Sequence, residues 1–535
     1  MPTPDRLTLF LLGLGGLLLL TVAAVALYRR FYRDDNNAAR RILKNSAVPF
    51  AVRLLVRALD LIFAIVLYST LPGAEIGPYT LAALLVAQYL ATLTDFGLGV
   101  LLTREAARDP AAAQRLFGIT LALRLLLVLL LAAPAAWLLI GSYTLLAGVG
   151  VGEPISAVGQ QAIWILLLTL FPSAYAGAVT ALYQAHERME VPAVVELITA
   201  IISMAVRIAV LLLGYGILGL AWAAVAVTTL TALIFLGLQL RDFFGPRLAW
   251  DWQQGKWLLL TAFPLMLNNL LNVVFFRFDM FIIKANGGGQ GDLLVQQYAV
   301  AYQILNIALI FPPVITFAVF PVLARRADGE RAALAEAQNR TLQALLWLAF
   351  PLTVGIMLLA PDLITFFTRR NAPDYLPISA HVLAILAWFL PISFINGLVQ
   401  YVLIALNQQA AITRAFVIGA AFNLSTNLLL VPHFGLYAAS VITILSEVVL
   451  LAVFLPLLRR AGLTPPLLQL AWRPLLAAGL MGVGLGALRW AGVPLHWIGQ
   501  AVLAVPVYVL GLGLLGAFGR SERALLRRVL GRGEA

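Results

Sequence analysis

The sequence predicts an all-α polytopic membrane protein. It consists of two six-helix lobes related by a pseudo-twofold axis along the membrane normal, plus one N-terminal and two C-terminal transmembrane helices. Three observations carry this. The first is composition: 62% of the 535 residues are hydrophobic and 11% charged, with a mean hydropathy of +0.95. A soluble domain is about 45–50% apolar and about 25% charged, so this chain cannot cover a water-exposed globule. The second is a series of apolar runs at membrane-crossing length. The third is an internal repeat.

A bilayer-crossing helix needs about 20 mostly apolar residues. Fifteen runs meet that length, at 7–28, 47–71, 78–101, 116–140, 162–183, 192–213, 217–240, 257–284, 297–323, 341–361, 380–406, 413–431, 436–457, 472–490 and 497–518. Their connections are short and leave no room for a folded catalytic domain outside the membrane. Most of the 36 Lys and Arg fall on one side of the resulting topology, led by Arg29, Arg30, Arg33, Arg40, Arg41 and Lys44. The positive-inside rule makes that side cytoplasmic and places the C-terminus there. The first run has only Arg6 before it and Arg29 and Arg30 after it, so it runs from outside to inside. A cleaved signal peptide is the competing reading, and the weak basic segment ahead of the run argues against it. The location expected is a bacterial-type cytoplasmic (inner) membrane. The net charge of +12 thus orients the protein, and no nucleic-acid partner is expected. Without cysteine, and with four scattered histidines, the chain offers no thiolate chemistry and no metal-ligand pair. No cofactor is expected.

An offset of 219 residues superposes Asp60 on Asp279, Tyr79 on Tyr298, Pro172 on Pro391, and Tyr215–Leu218 on Phe434–Tyr437. Six spans separate equivalent positions, so the two copies share one orientation, and parallel repeats place the substrate path at their interface. The expected organisation follows. Residues 1–45 form the extra helix and a basic cytoplasmic linker, 46–240 the N-lobe, and 241–256 an amphipathic cytoplasmic link. Residues 257–458 form the C-lobe, and 459–535 two further helices and a basic tail.

Charges inside the spans are candidates for function. Arg53, Arg57, Arg124, Arg207, Arg277 and Lys284 are embedded cations; Asp60, Glu196, Asp279 and Glu447 are embedded acids. Each costs about 2.5–3.5 kcal/mol at mid-bilayer, so they line a wet cavity, pair internally or snorkel. Arg53, Arg57 and Asp60 recur at i, i+4 and i+7 and share a helical face. The functional reading makes Arg53, Arg57, Arg277, Arg124 and Arg207 the cavity cations for an anionic headgroup, since the guanidinium fork suits phosphate oxygens. Asp60, Asp279 and Glu196 are then candidates for proton or ion coupling. The structural alternatives are ion pairing, favoured for Glu447, and snorkelling, favoured for Lys284 at the outer end of its span.

The run Thr94-Asp95-Phe96-Gly97-Leu98-Gly99, followed by Thr103-Arg104-Glu105-Ala106, resembles the second-helix signature of polysaccharide flippases. Asn423–Gly435 (NLSTNLLLVPHFG) is similar to their eleventh-helix run, and Gly77-Pro78-Tyr79 fits their outer loop. These are the Wzx-type lipid-linked oligosaccharide flippases of the multidrug/oligosaccharidyl-lipid/polysaccharide exporter superfamily, and the resemblance covers about residues 40–520. It implies two six-helix lobes, a positively charged cavity and alternating access. It also implies a polyprenyl-diphosphate-linked oligosaccharide carried from inner to outer leaflet, with membrane lipids and polymerase or glycosyltransferase partners around it. Tyr437 departs from the family's usual Gly, and the first span lies outside the common fourteen-helix plan. The rivals are a lipid II flippase, a cation-coupled drug exporter of the same superfamily and a polytopic glycosyltransferase. A drug exporter favours cavity acids, whereas cations predominate here. A glycosyltransferase needs a large outer loop with catalytic groups. The chain also lacks a Walker A motif. No enzyme activity is expected.

Overall fold

The computed structural model describes residues 38–327, 329, 331–492 and 496–517. The predicted first span and the basic tail after residue 518 lie outside the described residues. Among those described there is no strand, and twelve helices are long and apolar enough to cross a membrane. The described residues form two compact units that divide between residues 270 and 271.

The first unit begins with α1 (Ala38–Thr70), whose middle carries Arg53, Arg57 and Asp60; it is not among the twelve. Then come α2 (Gly73–Arg108), α3 (Pro110–Gly148), α4 (Ala157–Ala185), α5 (Glu190–Leu212) and α6 (Gly216–Asp242). Next is α7 (Trp252–Arg277). α1 packs chiefly on α5, where Val52, Ala193 and Leu197 form a sealed apolar seam with Val48, Leu55 and Ile201 around it. The larger core joins α2, α3, α4 and α6 through Leu102, Phe117, Leu182, Tyr183 and Phe235. A second cluster, Leu98, Leu101, Ile119 and Leu123, takes Leu258 and Ala262 of α7. Single π-helical turns at Leu85–Leu90 and Val128–Ala132 interrupt α2 and α3.

The segment ahead of α7, expected to be an amphipathic link, is irregular from Phe244 to Asp251. It docks on the first unit. Phe243 meets the Tyr183 ring at 4.9 Å and Phe244 meets Phe117 at 5.8 Å, Arg115 pairs with Asp251, and Gly118 leaves room for the backbone at Arg247 and Ala249.

The second unit takes up the end of α7 and continues through α8 (Asp279–Asn286), α9 (Gly291–Ala308), α10 (Phe311–Ala327) and α11 (Arg331–Thr368). It closes with α12 (Ile378–Leu386), α13 (Phe389–Ala405), α14 (Gln409–Arg460), α15 (Leu467–Trp490) and α16 (Trp497–Leu514). The expected spans 413–431 and 436–457 both lie in α14, folded back at Gly435 with φ +58° and ψ −139°. That left-handed setting favours glycine. The core is aromatic: Phe275 contacts Phe276 and Phe416 at 4.7 and 5.6 Å and lies against Gly419, where no side chain would fit.

Candidate functional site

In the first unit, α1 and α5 bring Arg53, Asp60, Glu196 and Arg207 together, with Arg57 one turn away on α1. Arg207 of α5 reaches Asp60 of α1 at 3.6 Å, lies 4.2 Å above the Phe63 ring, and donates from Nε to the Ser203 carbonyl. Arg53 and Asp60 both act electrostatically on Glu196. Arg57 is one helical turn below Arg53, and both are exposed. Glu196 is exposed as well, and the Asp60 side chain is 43% exposed. With Arg57 included, this stretch of α1 and α5 holds three arginines against two acids, one formal positive charge in excess. The i, i+4, i+7 stripe placed Arg53, Arg57 and Asp60 on one face, and that face meets the charged side of α5.

Arg124 lies elsewhere. It is 2% exposed. Its Nη2 is hydrogen-bonded to Asp95 Oδ1, and its Nη1 donates to the Ala174 carbonyl at 3.1 Å. The guanidinium fills a slot floored by two glycines: a Cβ on Gly99 would sit 2.9 Å from Nη2, and one on Gly177 2.8 Å from Nη1. This gives the Asp95–Gly99 signature a physical reading. Phe96 and Gly97 both take left-handed backbone settings, at φ +53° and +74°, and break α2. The Gly97 N–H caps the Asp95 carboxylate at 3.1 Å, and that carboxylate meets Arg124. A neutralised, enclosed guanidinium has no surface to offer a headgroup.

In the second unit α7 ends at Arg277, and Phe278 turns the chain into α8. Arg277 is half-buried, 4.8 Å above the Tyr302 ring, and acts electrostatically on Asp279. Asp279 is 3% exposed and accepts from the Tyr298 hydroxyl at 2.6 Å. Tyr302 donates to Thr443 Oγ1 at 3.3 Å. Lys284, read in sequence as a snorkelling residue, is instead sealed against Asp292 at 2.9 Å across the Gly287–Gly291 turn. Glu447, in the same buried belt as Thr443, accepts from the Asn396 amide.

Two partners escaped the sequence reading: Asp95 as counter-ion of Arg124, and the Asn396–Glu447 pair. The only sequence signal for the first was the pair of glycines inside the signature. Nothing local pointed to the second, because Asn396 and Glu447 are 51 positions apart.

Residues 42–326 match the model of a family described as polysaccharide biosynthesis protein, more than half of the chain. The chain belongs to that family. Residues 264–429 also match the MatE family model. Among curated proteins, the chain is 23% identical over 359 residues to the probable flippase AglR of Haloferax volcanii, covering 65% of this chain and 72% of AglR. It is 25% identical over 153 residues to the probable low-salt glycan biosynthesis flippase Agl15 of the same organism, covering 28% of this chain and only 32% of Agl15. Among solved structures, the lipid II flippase MurJ in an inward closed conformation has a TM-score of 0.71 at 14% identity, covering 90% of this chain and all of that one. An inward-facing multidrug resistance MATE family transporter of the MOP superfamily has a TM-score of 0.61 at 16% identity, covering 77% and 98%. The expected membership and the all-α membrane fold are therefore borne out.

Proposed function

We propose that the protein is a flippase. It moves a polyprenyl-diphosphate-linked oligosaccharide from the inner to the outer leaflet of a cytoplasmic membrane by alternating between inward- and outward-open states, with its C-terminus cytoplasmic. The observation that carries this reading is the α1–α5 cluster. Glu196 and Arg207 lie in the membrane-spanning α5, and Arg53, Arg57 and Asp60 lie on the apolar run 47–71 of α1 that packs on it; acyl chains would reject these charges and a water-filled path accepts them. The net positive charge suits a diphosphate, and Arg53 and Arg57 present guanidinium groups that donate paired N–H bonds to phosphate oxygens. The prenyl tail stays in lipid. In the second unit Arg277 lies over the Tyr302 ring, and Asp60 and Glu196 of the first unit and Asp279 of the second are candidate sites for proton or ion coupling. Membership of a polysaccharide biosynthesis family, and two relatives named as probable flippases, support the same reading. Translocation forms and breaks no covalent bond, so no catalytic residue is assigned. Enzymes that build or polymerise the glycan are the natural partners.

The test is leaflet exchange of fluorescent polyprenyl-diphosphate oligosaccharide in proteoliposomes. Wild-type protein accelerates exchange, and the double variant Arg53→Ala/Arg57→Ala, inserted at equal density, loses at least tenfold. Undiminished exchange by that variant removes the two arginines from the path. A chemically altered lipid product instead indicates an enzyme. Exchange of the peptide-bearing lipid II substrate alone would reassign the glycan while keeping the mechanism.

A further inference from the structure

The second unit holds two deeply buried carboxyl groups, and their surroundings differ in kind. Asp279 has the Tyr298 hydroxyl, the Met280 N–H at 2.9 Å and the positive charge of Arg277. Glu447 is 2% exposed and meets only neutral groups. The Asn396 amide donates from Nδ2 to the Glu447 carboxyl and to the Glu447 carbonyl at 2.9 Å, and the Ser393 hydroxyl is hydrogen-bonded to the carboxyl.

The charged and titratable groups of the neighbouring elements are engaged elsewhere or lie at the helix ends. From α7 and α8 these are Lys256 near the start of α7, Arg277, Asp279 and Lys284, the last paired with Asp292. α9 brings Tyr298 and Tyr302, which serve Asp279 and Thr443. α12 brings His381, which is exposed, and α13 brings Tyr401, which packs on Phe320. On α14 itself, Arg414, His433, Tyr437, Arg459 and Arg460 all lie ten or more residues from Glu447. None of these acts on its carboxyl.

An ionised carboxylate sealed in a membrane protein without a cation is among the costliest arrangements a fold can hold. A second observation points the same way. Asn396 is 1% exposed, and its Oδ1 has no hydrogen-bond partner among the described residues. A buried amide oxygen without a donor carries its own penalty of about 1–3 kcal/mol.

We propose that Glu447 is a proton-binding site: it carries one proton as a neutral carboxylic acid paired with Asn396 and Ser393, and it releases that proton only when the seam between α13 and α14 admits water. The acid hydroxyl supplies the missing donor to Asn396 Oδ1 or to Ser393 Oγ, while the carbonyl oxygen keeps the Asn396 N–H. Deprotonation is the simple step COOH to COO⁻ plus H⁺. A metal cation is disfavoured at the same place because an amide N–H already points at the carboxyl oxygen it would need. This inference rests on the burial of Glu447 and not on the flippase reading.

Infrared difference spectroscopy on the full chain in lipid, without substrate, tests it. At pH 7 the wild type shows a protonated-carboxyl C=O band that shifts in D2O. Glu447→Gln abolishes the band and Asp279→Asn leaves it, and exchanging sodium for potassium changes nothing. Asn396→Leu keeps the protein folded and moves the band to higher frequency by removing its hydrogen bond. A band that survives Glu447→Gln, one that ignores Asn396→Leu, or one that appears only when sodium is withdrawn overturns the proposal, the last assigning a metal cation instead. Because no lipid transport is measured, a negative answer here leaves the flippase reading standing, and failed leaflet exchange leaves the proton site standing.

Discussion

At the residue scale, the embedded arginines divide by what surrounds them. Arg124 is locked by Asp95 and the Ala174 carbonyl between two glycines, whereas Arg53 and Arg57 stay exposed. Removing one partner of a buried ion pair strands the other, at a cost of about 3–5 kcal/mol. The Asp95 side chain is 47% exposed, so water softens the loss and Asp95→Ala is expected toward the lower end. Combining it with Arg124→Met recovers most of the loss, since a hydrophobic pair of similar volume is often neutral; thermal unfolding in detergent measures both. Gly97→Ala meets two penalties, a left-handed φ of +74° and a Cβ 2.9 Å from that of Leu265, and should cost about 1 kcal/mol or more. Sequence alone could not make this division. Arg53 and Arg124 both interrupt apolar runs, and the difference depends on a carboxylate 29 positions from Arg124 on another helix. Lys284 failed for a related reason: a tight glycine turn brings Asp292 back onto it, and the distance along the span gave no hint of that closure.

At the element scale, the helices were legible because burial in lipid demands length and apolarity, and few other folds supply both. What the apolar runs could not reveal were the breaks: the turn at Phe278, the π turns in α2 and α3, and the docked irregular strap ahead of α7. The strap follows from glycine at 118 and two phenylalanines, features too common to read in advance. Gly118→Val would drive a side chain into the backbone at Arg247 and Ala249 and should free the strap, read as several-fold faster proteolysis between residues 243 and 251. The Arg115–Asp251 pair adds a pH dependence. The Gln254 backbone N–H, and then Arg115, hold the Asp251 carboxyl below its usual value of 3.8. A depressed carboxyl stabilises above its unfolded pKa and loses that contribution as pH falls through the folded one. Protection of the strap should therefore be flat from neutral pH down to about 4 and decline only below that. A decline between pH 5 and 7 would contradict the assignment.

For the whole molecule, the family and the all-α membrane architecture are those of a flippase of the MOP superfamily, and the charged α1–α5 face is where we propose that a polar, anionic headgroup passes. On this proposal the α1–α5 face stands in water and meets the headgroup. The natural absence of cysteine makes one measurement decisive. Arg57→Cys is introduced into the full chain and reconstituted, then treated with a charged, membrane-impermeant thiol reagent from either side. Val502→Cys on α16, at a position 68% exposed, serves as the lipid-facing control. Labelling at position 57 is expected to be rapid and slowed at least fivefold by polyprenyl-diphosphate oligosaccharide, with negligible labelling at 502. Labelling at 57 as slow as at 502, or unaffected by the lipid-linked substrate, would contradict the proposal.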